Sequence, residues 1–309
     1  MNQKKLKMKF IFSLLLFSCF TVVEAQDTLT YSTAEIIYGR KDGMALTLIK
    51  LTPKKDAKRK AIVSLVSGNW VSNYSMAGRY ISKSLYLVNN GFTVFFVIHG
   101  SQPRYAINDE LEDIKRAVRF VRFNAKNYEI DGTHIGISGS SSGGHLSLMA
   151  ALSDDNVKPN SQDPIDKISS KIQAAAIFFP PTDFINWGGE NTKTDVDRLR
   201  KTVAAAFDFK FMSDSTGMYE HVRGEENLKK MAADNSPINK VTGDDPPILI
   251  FHGDADPIVP LQQSQTLIKR LNDAGVINEL IIKKAGVHGW KNDAAEEKKI
   301  LQWFDRFLK

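Results

Sequence analysis

The stretch from His134 to Leu152, HIGISGSSSGGHLSLMAAL, decides the fold. It opens with an apolar, strand-like run from His134 to Ser138. It closes with a helix-like run from Leu146 to Leu152, and Gly139-Ser140-Ser141-Ser142-Gly143-Gly144-His145 lies between them. A serine with glycine two residues away on each side, between strand and helix, describes a nucleophile elbow. The turn there is so sharp that the serine backbone is strained and a side chain at either flanking glycine is expected to clash. The hydroxyl then projects from the mouth of a sheet. Of the serines at 138, 140, 141 and 142, only Ser141 has glycine at both positions, Gly139 and Gly143.

Working outward, 309 residues suffice for one large α/β domain. With 42% apolar, 25% charged and 10% aromatic residues, the composition excludes disordered and fibrous classes. Residues 1–25 read as a secretory signal. Lys4, Lys5, Lys7 and Lys9 form a basic start, Phe10 to Val23 an apolar stretch, and cleavage is expected after Ala25, leaving a chain of residues 26–309. The apolar stretch is too short to span a bilayer comfortably. Leu16-Phe17-Ser18-Cys19 resembles a loose lipoprotein box, so a lipid anchor at Cys19 is the alternative. Cys19 is the only cysteine, and its removal leaves no disulfide, thiolate metal site or cysteine nucleophile. The net charge of +6 falls to about +3 once four lysines and Glu24 are removed. No basic stripe interleaved with aromatics points to nucleic acid.

Short strand candidates alternate with amphipathic helices. Strands are expected at 36–38, 45–51, 61–66, 92–98, 134–138, 174–179, 248–252 and 279–284, and helices at 76–89, 108–125, 261–274 and 294–308. This alternation predicts an α/β fold with a mostly parallel eight-stranded sheet and helices on both faces. Its site should form beyond the carboxyl ends of the strands. Residues from about Asp183 to Asn235 interrupt the pattern with helical stretches and aromatics, and read as a helical cap excursion over the site.

A serine needs an adjacent base that is itself oriented by an acid. The strand at 248–252 runs into Gly253-Asp254-Ala255-Asp256-Pro257, and the last strand runs into Ala285-Gly286-Val287-His288-Gly289-Trp290. Of the six histidines, His288 alone follows the last strand in a glycine-flanked loop. His252 reads as support for the acid loop and His145 as a clamp on local backbone. His99 tempts as an oxyanion residue but follows the wrong strand, and His221 has no evident partner. Asp256, fixed before a proline, is preferred as the acid, with Asp254 as a turn residue that caps backbone amides.

The order Ser141, Asp256, His288 resembles the α/β-hydrolase superfamily. The likeness extends from about Ala61 to the C-terminus. It is strongest to small bacterial acetyl-esterase, feruloyl-esterase and hormone-sensitive-lipase-like enzymes, with likeness also to the catalytic domain of prolyl-oligopeptidase-type peptidases. It rests on Gly139-x-Ser141-x-Gly143-Gly144-His145, on Phe251-His252-Gly253-x-x-Asp256-x-x-Val259-Pro260 and on His288-Gly289-Trp290. The resemblance implies a secreted or periplasmic serine ester hydrolase without metal or organic cofactor. Its substrates would be short acyl esters, acetyl or feruloyl, on a small molecule or carbohydrate. Competing readings are a peptidase and a non-catalytic binding protein on the same scaffold, and oligomeric state is left open. Such esterases often carry His-Gly-Gly-Gly before a Trp, whereas the matching stretch here is Val66-Ser67-Gly68-Asn69-Trp70. The oxyanion donors implied are the backbone N–H of Ser142 and that of Asn69 or Trp70. Trp70, Phe184 and Trp187 are expected beside the substrate.

Overall fold

Runs of β-branched and aromatic residues form the sheet at nearly the expected places. β1 (Tyr31–Lys41) and β2 (Met44–Pro53) make an antiparallel hairpin. Its turn, Asp42-Gly43, has both residues at positive φ, as a two-residue hairpin of right-handed twist requires. β3 (Ala61–Leu65), β4 (Thr93–Ile98), β5 (Ile135–Ser140), β6 (Ala174–Phe178), β9 (Ile248–Gly253) and β10 (Asn278–Lys283) follow. The structure, a computed structural model, describes residues 29–188 and 207–309. The expected signal segment with Cys19, and residues 189–206 of the excursion, lie outside the described residues.

The order across the sheet is β1-β2-β4-β3-β5-β6-β9-β10. Only β2 runs against its neighbours, so the sheet is mostly parallel. Successive side chains of a strand point to opposite faces, and each face has its own core. Val63, Leu65, Phe95 and Val97 meet α2 (Ile107–Phe123), α3 (Ser142–Leu152) and α5 (Leu261–Asp273). Ile62, Val94 and Phe96 meet α1 (Ala77–Asn89) and α6 (Ala294–Phe307). Helices therefore cover both faces. Full burial of each Val, Ile, Leu or Phe contributes about 1.5–3 kcal/mol. Gly136 on β5 admits the Phe304 ring of α6: a Cβ there would sit 2.7 Å from Phe304 Cε1.

The described part of the excursion contains a helix, α4 (Glu225–Asp234), and also a small antiparallel hairpin that the sequence reading missed. Its strands are β7 (Lys210–Met212) and β8 (Tyr219–His221). Phe207 and Phe209 are buried and Phe211 is exposed. Their two-residue spacing is a strand period, the signal overlooked. His221 also has a partner, with Nδ1 2.7 Å from an Asp208 carboxylate oxygen. Among the described residues no helix is long and apolar enough to cross a membrane.

Candidate active site

β5 ends at Ser140 and α3 begins at Ser142. Ser141 between them sits at φ 53°, ψ −123°, a strained conformation for a non-glycine residue. Its N–H donates to Phe178 O at 2.9 Å, and its carbonyl accepts from His145 N–H at 2.9 Å. The expected steric demand is one-sided. A Cβ on Gly139 would lie 2.3 Å from Gly143 O, an impossible approach. One on Gly143 would find ordinary contacts at 3.5 Å. The second tight glycine is Gly144, whose Cβ would come 3.0 Å from Phe178 O, because α3 presses on the end of β6.

Three loops at the carboxyl ends of β5, β9 and β10 bring Ser141, Asp256 and His288 together. Ser141 Oγ is 2.9 Å from His288 Nε2, and His288 Nδ1 is 2.7 Å from Asp256 Oδ2. A carboxylate only accepts, so Nδ1 carries the proton and Nε2 offers its lone pair to the serine hydroxyl. Asp256 Oδ1 accepts from the N–H groups of Ile258 and Val259 at 2.9 and 3.0 Å. Burial pushes the Asp256 carboxyl up, but the His288 hydrogen bond and these two amides outweigh it, and the net position is below the usual aspartate range. Phe179, at φ 36° just past β6, places its ring 4.6 Å from the imidazole at a tilt of 60°.

The neighbouring groups hold these loops in place. His252, as expected, braces the acid loop: its Nε2 donates to Val259 O at 2.9 Å and its Nδ1 meets Ser264 Oγ at 2.7 Å. Asp254 caps an amide, but across the gap, accepting from Ala285 N–H at 2.6 Å. Ala255 N–H donates to Gly286 O at 3.0 Å, which fastens the acid loop to the histidine loop. Trp290 donates its indole N–H to Glu296 at 3.0 Å, in the capping box that starts α6. His99 is buried behind β4 beside Glu110.

After β3 the chain makes a two-residue reverse turn. Gly68 and Val71 exchange both backbone hydrogen bonds at 3.0 Å, and Asn69 and Trp70 between them have φ 53° and 56°. Asparagine is among the residues that tolerate this region best. For tryptophan it costs on the order of 1–2 kcal/mol. The N–H groups of Asn69 and Trp70 find no acceptor among the described residues. Neither does that of Ser142, the first residue of its helix. Ser67 Oγ reaches Ser142 Oγ at 3.2 Å, Tyr80 donates to Ser67 O at 2.6 Å, and the Gln102 side chain donates to Asn69 O at 2.8 Å. Sequence reasoning missed Tyr80, Gln102 and Phe179, whose roles arise only from pairings distant along the chain.

The expected substrate-side aromatics need correction. Trp70 and Phe184 are 3% and 0% exposed, with rings 5.9 Å apart in a cluster completed by His145 and Phe207. Buried in the hydrophobic core, they offer no face to a ligand. Trp187, half-buried, stacks on Phe184 at 6.4 Å.

The family model for BD-FAE matches residues 48–271. The chain belongs to the BD-FAE family. A truncated carbohydrate esterase from gut microbiota superposes with a TM-score of 0.74 at 28% identity, covering 90% of this chain and 97% of that one. A propionate-bound esterase of Thermogutta terrifontis gives 0.67 at 25% identity, covering 89% and 93%. Esterase LipQ of Mycobacterium tuberculosis is 27% identical over 249 residues, 79% of this chain and 53% of its own. The chain thus spans about half the length of that relative. The fold is that of the α/β-hydrolases, and these three similar proteins are named as esterases.

Proposed function

We propose that this BD-FAE family member is a serine carboxylic-ester hydrolase working through an acyl-enzyme. The observation that carries the reading is the hydrogen-bond chain from Asp256 through His288 to Ser141, at 2.7 and 2.9 Å. Ser141 Oγ adds to the ester carbonyl carbon while His288 Nε2 takes its proton. Negative charge gathers on the former carbonyl oxygen, where the N–H of Ser142 and that of Asn69 or Trp70 stabilise it. The tetrahedral adduct collapses, His288 returns the proton to the leaving alkoxide, and the alcohol departs. Water then adds to the acyl group by the same route and frees Ser141. Asp256 holds the imidazole tautomer throughout and stabilises the imidazolium without taking the proton.

The substrate reading is a short acyl group, acetyl or feruloyl, on a carbohydrate met outside the cytoplasm. The carbohydrate esterase and the propionate-bound neighbour support it, as does the signal-like segment 1–25. A fluorophosphonate probe tests the mechanism: the wild type should label and Ser141→Ala should not, and equal labelling would remove Ser141 from the role. A p-nitrophenyl ester series from acetate to laurate tests the acyl range, with the highest kcat/KM expected at the short end. Faster cleavage of a chromogenic dipeptide amide than of the acetate would move the protein to the peptidases.

A further inference from the structure

His145 lies one helical turn beyond Ser141 and is fully buried. The mechanism above gives it no task, yet both ring nitrogens are engaged. Trp70 Nε1 lies 3.1 Å from His145 Nδ1, and His145 Nε2 lies 2.8 Å from Asn235 O. An indole N–H only donates and a carbonyl only accepts, so the ring is neutral with its proton on Nε2. Packing alone would need neither bond, and an apolar residue could fill the volume. Here the partners are a residue in a left-handed turn and the residue that ends α4. The Trp70 conformation is costly for a bulky side chain, and such conformations persist where surrounding structure over-determines them. His145 N–H also donates to Ser141 O.

Building on the proposed esterase reading, we infer that His145 is a positioning residue for the oxyanion turn: through the Trp70 indole it locks the left-handed Asn69–Trp70 pair to the helix that carries Ser141. Its bond to Asn235 anchors the same ring to the excursion. The distance from Ser141 to the second oxyanion donor is thereby set by one rigid side-chain relay and not by the loop alone. Burial lowers the His145 pKa to about 4, so the lone pair facing Trp70 survives at neutral pH.

Three variants test this: His145→Leu removes both bonds, Trp70→Phe removes the donor along with some ring volume, and His145→Gln can restore an acceptor and a donor at full-size Trp70. Each is measured for kcat and KM on p-nitrophenyl acetate and for inhibition by phenylboronic acid, which forms a tetrahedral adduct with an activated serine. Circular dichroism reports folding. His145→Leu and Trp70→Phe should each lose about tenfold or more in kcat and in boronate affinity, as loosening of an oxyanion donor does. KM should stay within about twofold, the pattern of an interaction made only in the transition state. His145→Gln should recover most of the loss. The double variant Trp70→Phe/His145→Leu should be no worse than the poorer single, since the Trp70–His145 bond is already lost in each. Wild-type kcat in Trp70→Phe, or losses that multiply in the double, would overturn the inference. If His145→Leu fails to fold, Trp70→Phe decides. A wild type that does not label with fluorophosphonate would defeat the esterase reading and this inference together. A labelled wild type with unaffected variants defeats only this inference.

Discussion

Replacing Gly253 by alanine should disable the site without touching any reacting atom. Gly253 ends β9, and its neighbour in space is Gly286, in the turn after β10. A Cβ on Gly253 would fall 2.0 Å from Gly286 O, 2.4 Å from its carbonyl carbon and 2.9 Å from its Cα. Real Cβ atoms do not approach closer than 3.0 Å, so the two backbones must part by at least about 1 Å. They cannot part freely. Asp254 N–H donates to Lys283 O at 3.1 Å, Ala255 N–H to Gly286 O at 3.0 Å, and Ala285 N–H to Asp254 Oδ1 at 2.6 Å. The strain passes to Asp256 and His288, which stand just downstream of the two glycines and share one hydrogen bond. A 1 Å misplacement costs on the order of a hundredfold in rate. Overpacking costs about 1–3 kcal/mol of stability. The assay is kcat on p-nitrophenyl acetate alongside the thermal midpoint. Gly78→Ala serves as a control, because a Cβ there meets nothing within 4 Å. A Gly253→Ala enzyme with kcat within about threefold of wild type and an unchanged midpoint would refute the reasoning.

Asp256→Asn should lower kcat about 10⁴-fold with the fold intact, since an amide stabilises neither the tautomer nor the imidazolium; hydrolysis and circular dichroism measure the two. His288→Ala should abolish turnover, and retained activity would place the base elsewhere. Gly136→Ala forces a Cβ within 2.7 Å of Phe304, far from the catalytic loops, so it should cost about 1–3 kcal/mol in a urea melt while kcat holds. Acid should also weaken the fold. His99 and His145 are held by burial at pKa values of about 4, below the unfolded value of 6.5, so the unfolded chain binds more protons between those values. Their stabilisation is present above pH 6.5 and is lost as pH falls toward 4. Buried Glu110, pushed well up by desolvation, works in the opposite sense, so the effect is read as a difference. Between pH 7 and 5 the wild type should lose about 2 kcal/mol more than His145→Gln. Parallel losses would show that the ring titrates freely.

The strand runs of the parallel sheet could be read from the sequence because burial on both faces makes them locally apolar. Ser141 stood out because glycine spacing is itself a local signal, and Asp256 and His288 because each follows a strand end. What escaped the sequence depends on residues that meet only after the sheet has assembled. Gly253 and Gly286 face each other because Lys283 pairs with Gly253 in the β9–β10 register. The Trp70 indole finds His145 across 75 positions of chain. Phe184 looked like a ligand contact because an aromatic residue in an irregular segment has no periodicity to show that it is buried. The departure at Asn69 proved conformationally easy, because asparagine tolerates the left-handed turn that glycine would otherwise supply.

β10 pairs with β9 alone and forms one margin of the sheet. The loop that carries His288 hangs from that margin, whereas Ser141 rises from β5 in the middle. Marginal strands open at lower free energy than central ones. Warming should therefore detach His288 while the interior of the sheet is still whole. Catalysis and global structure would then fail as two separate events, the first reversible on cooling, with hydrogen exchange at Leu280 and Ile281 rising in step with lost turnover before β5 exchanges at all.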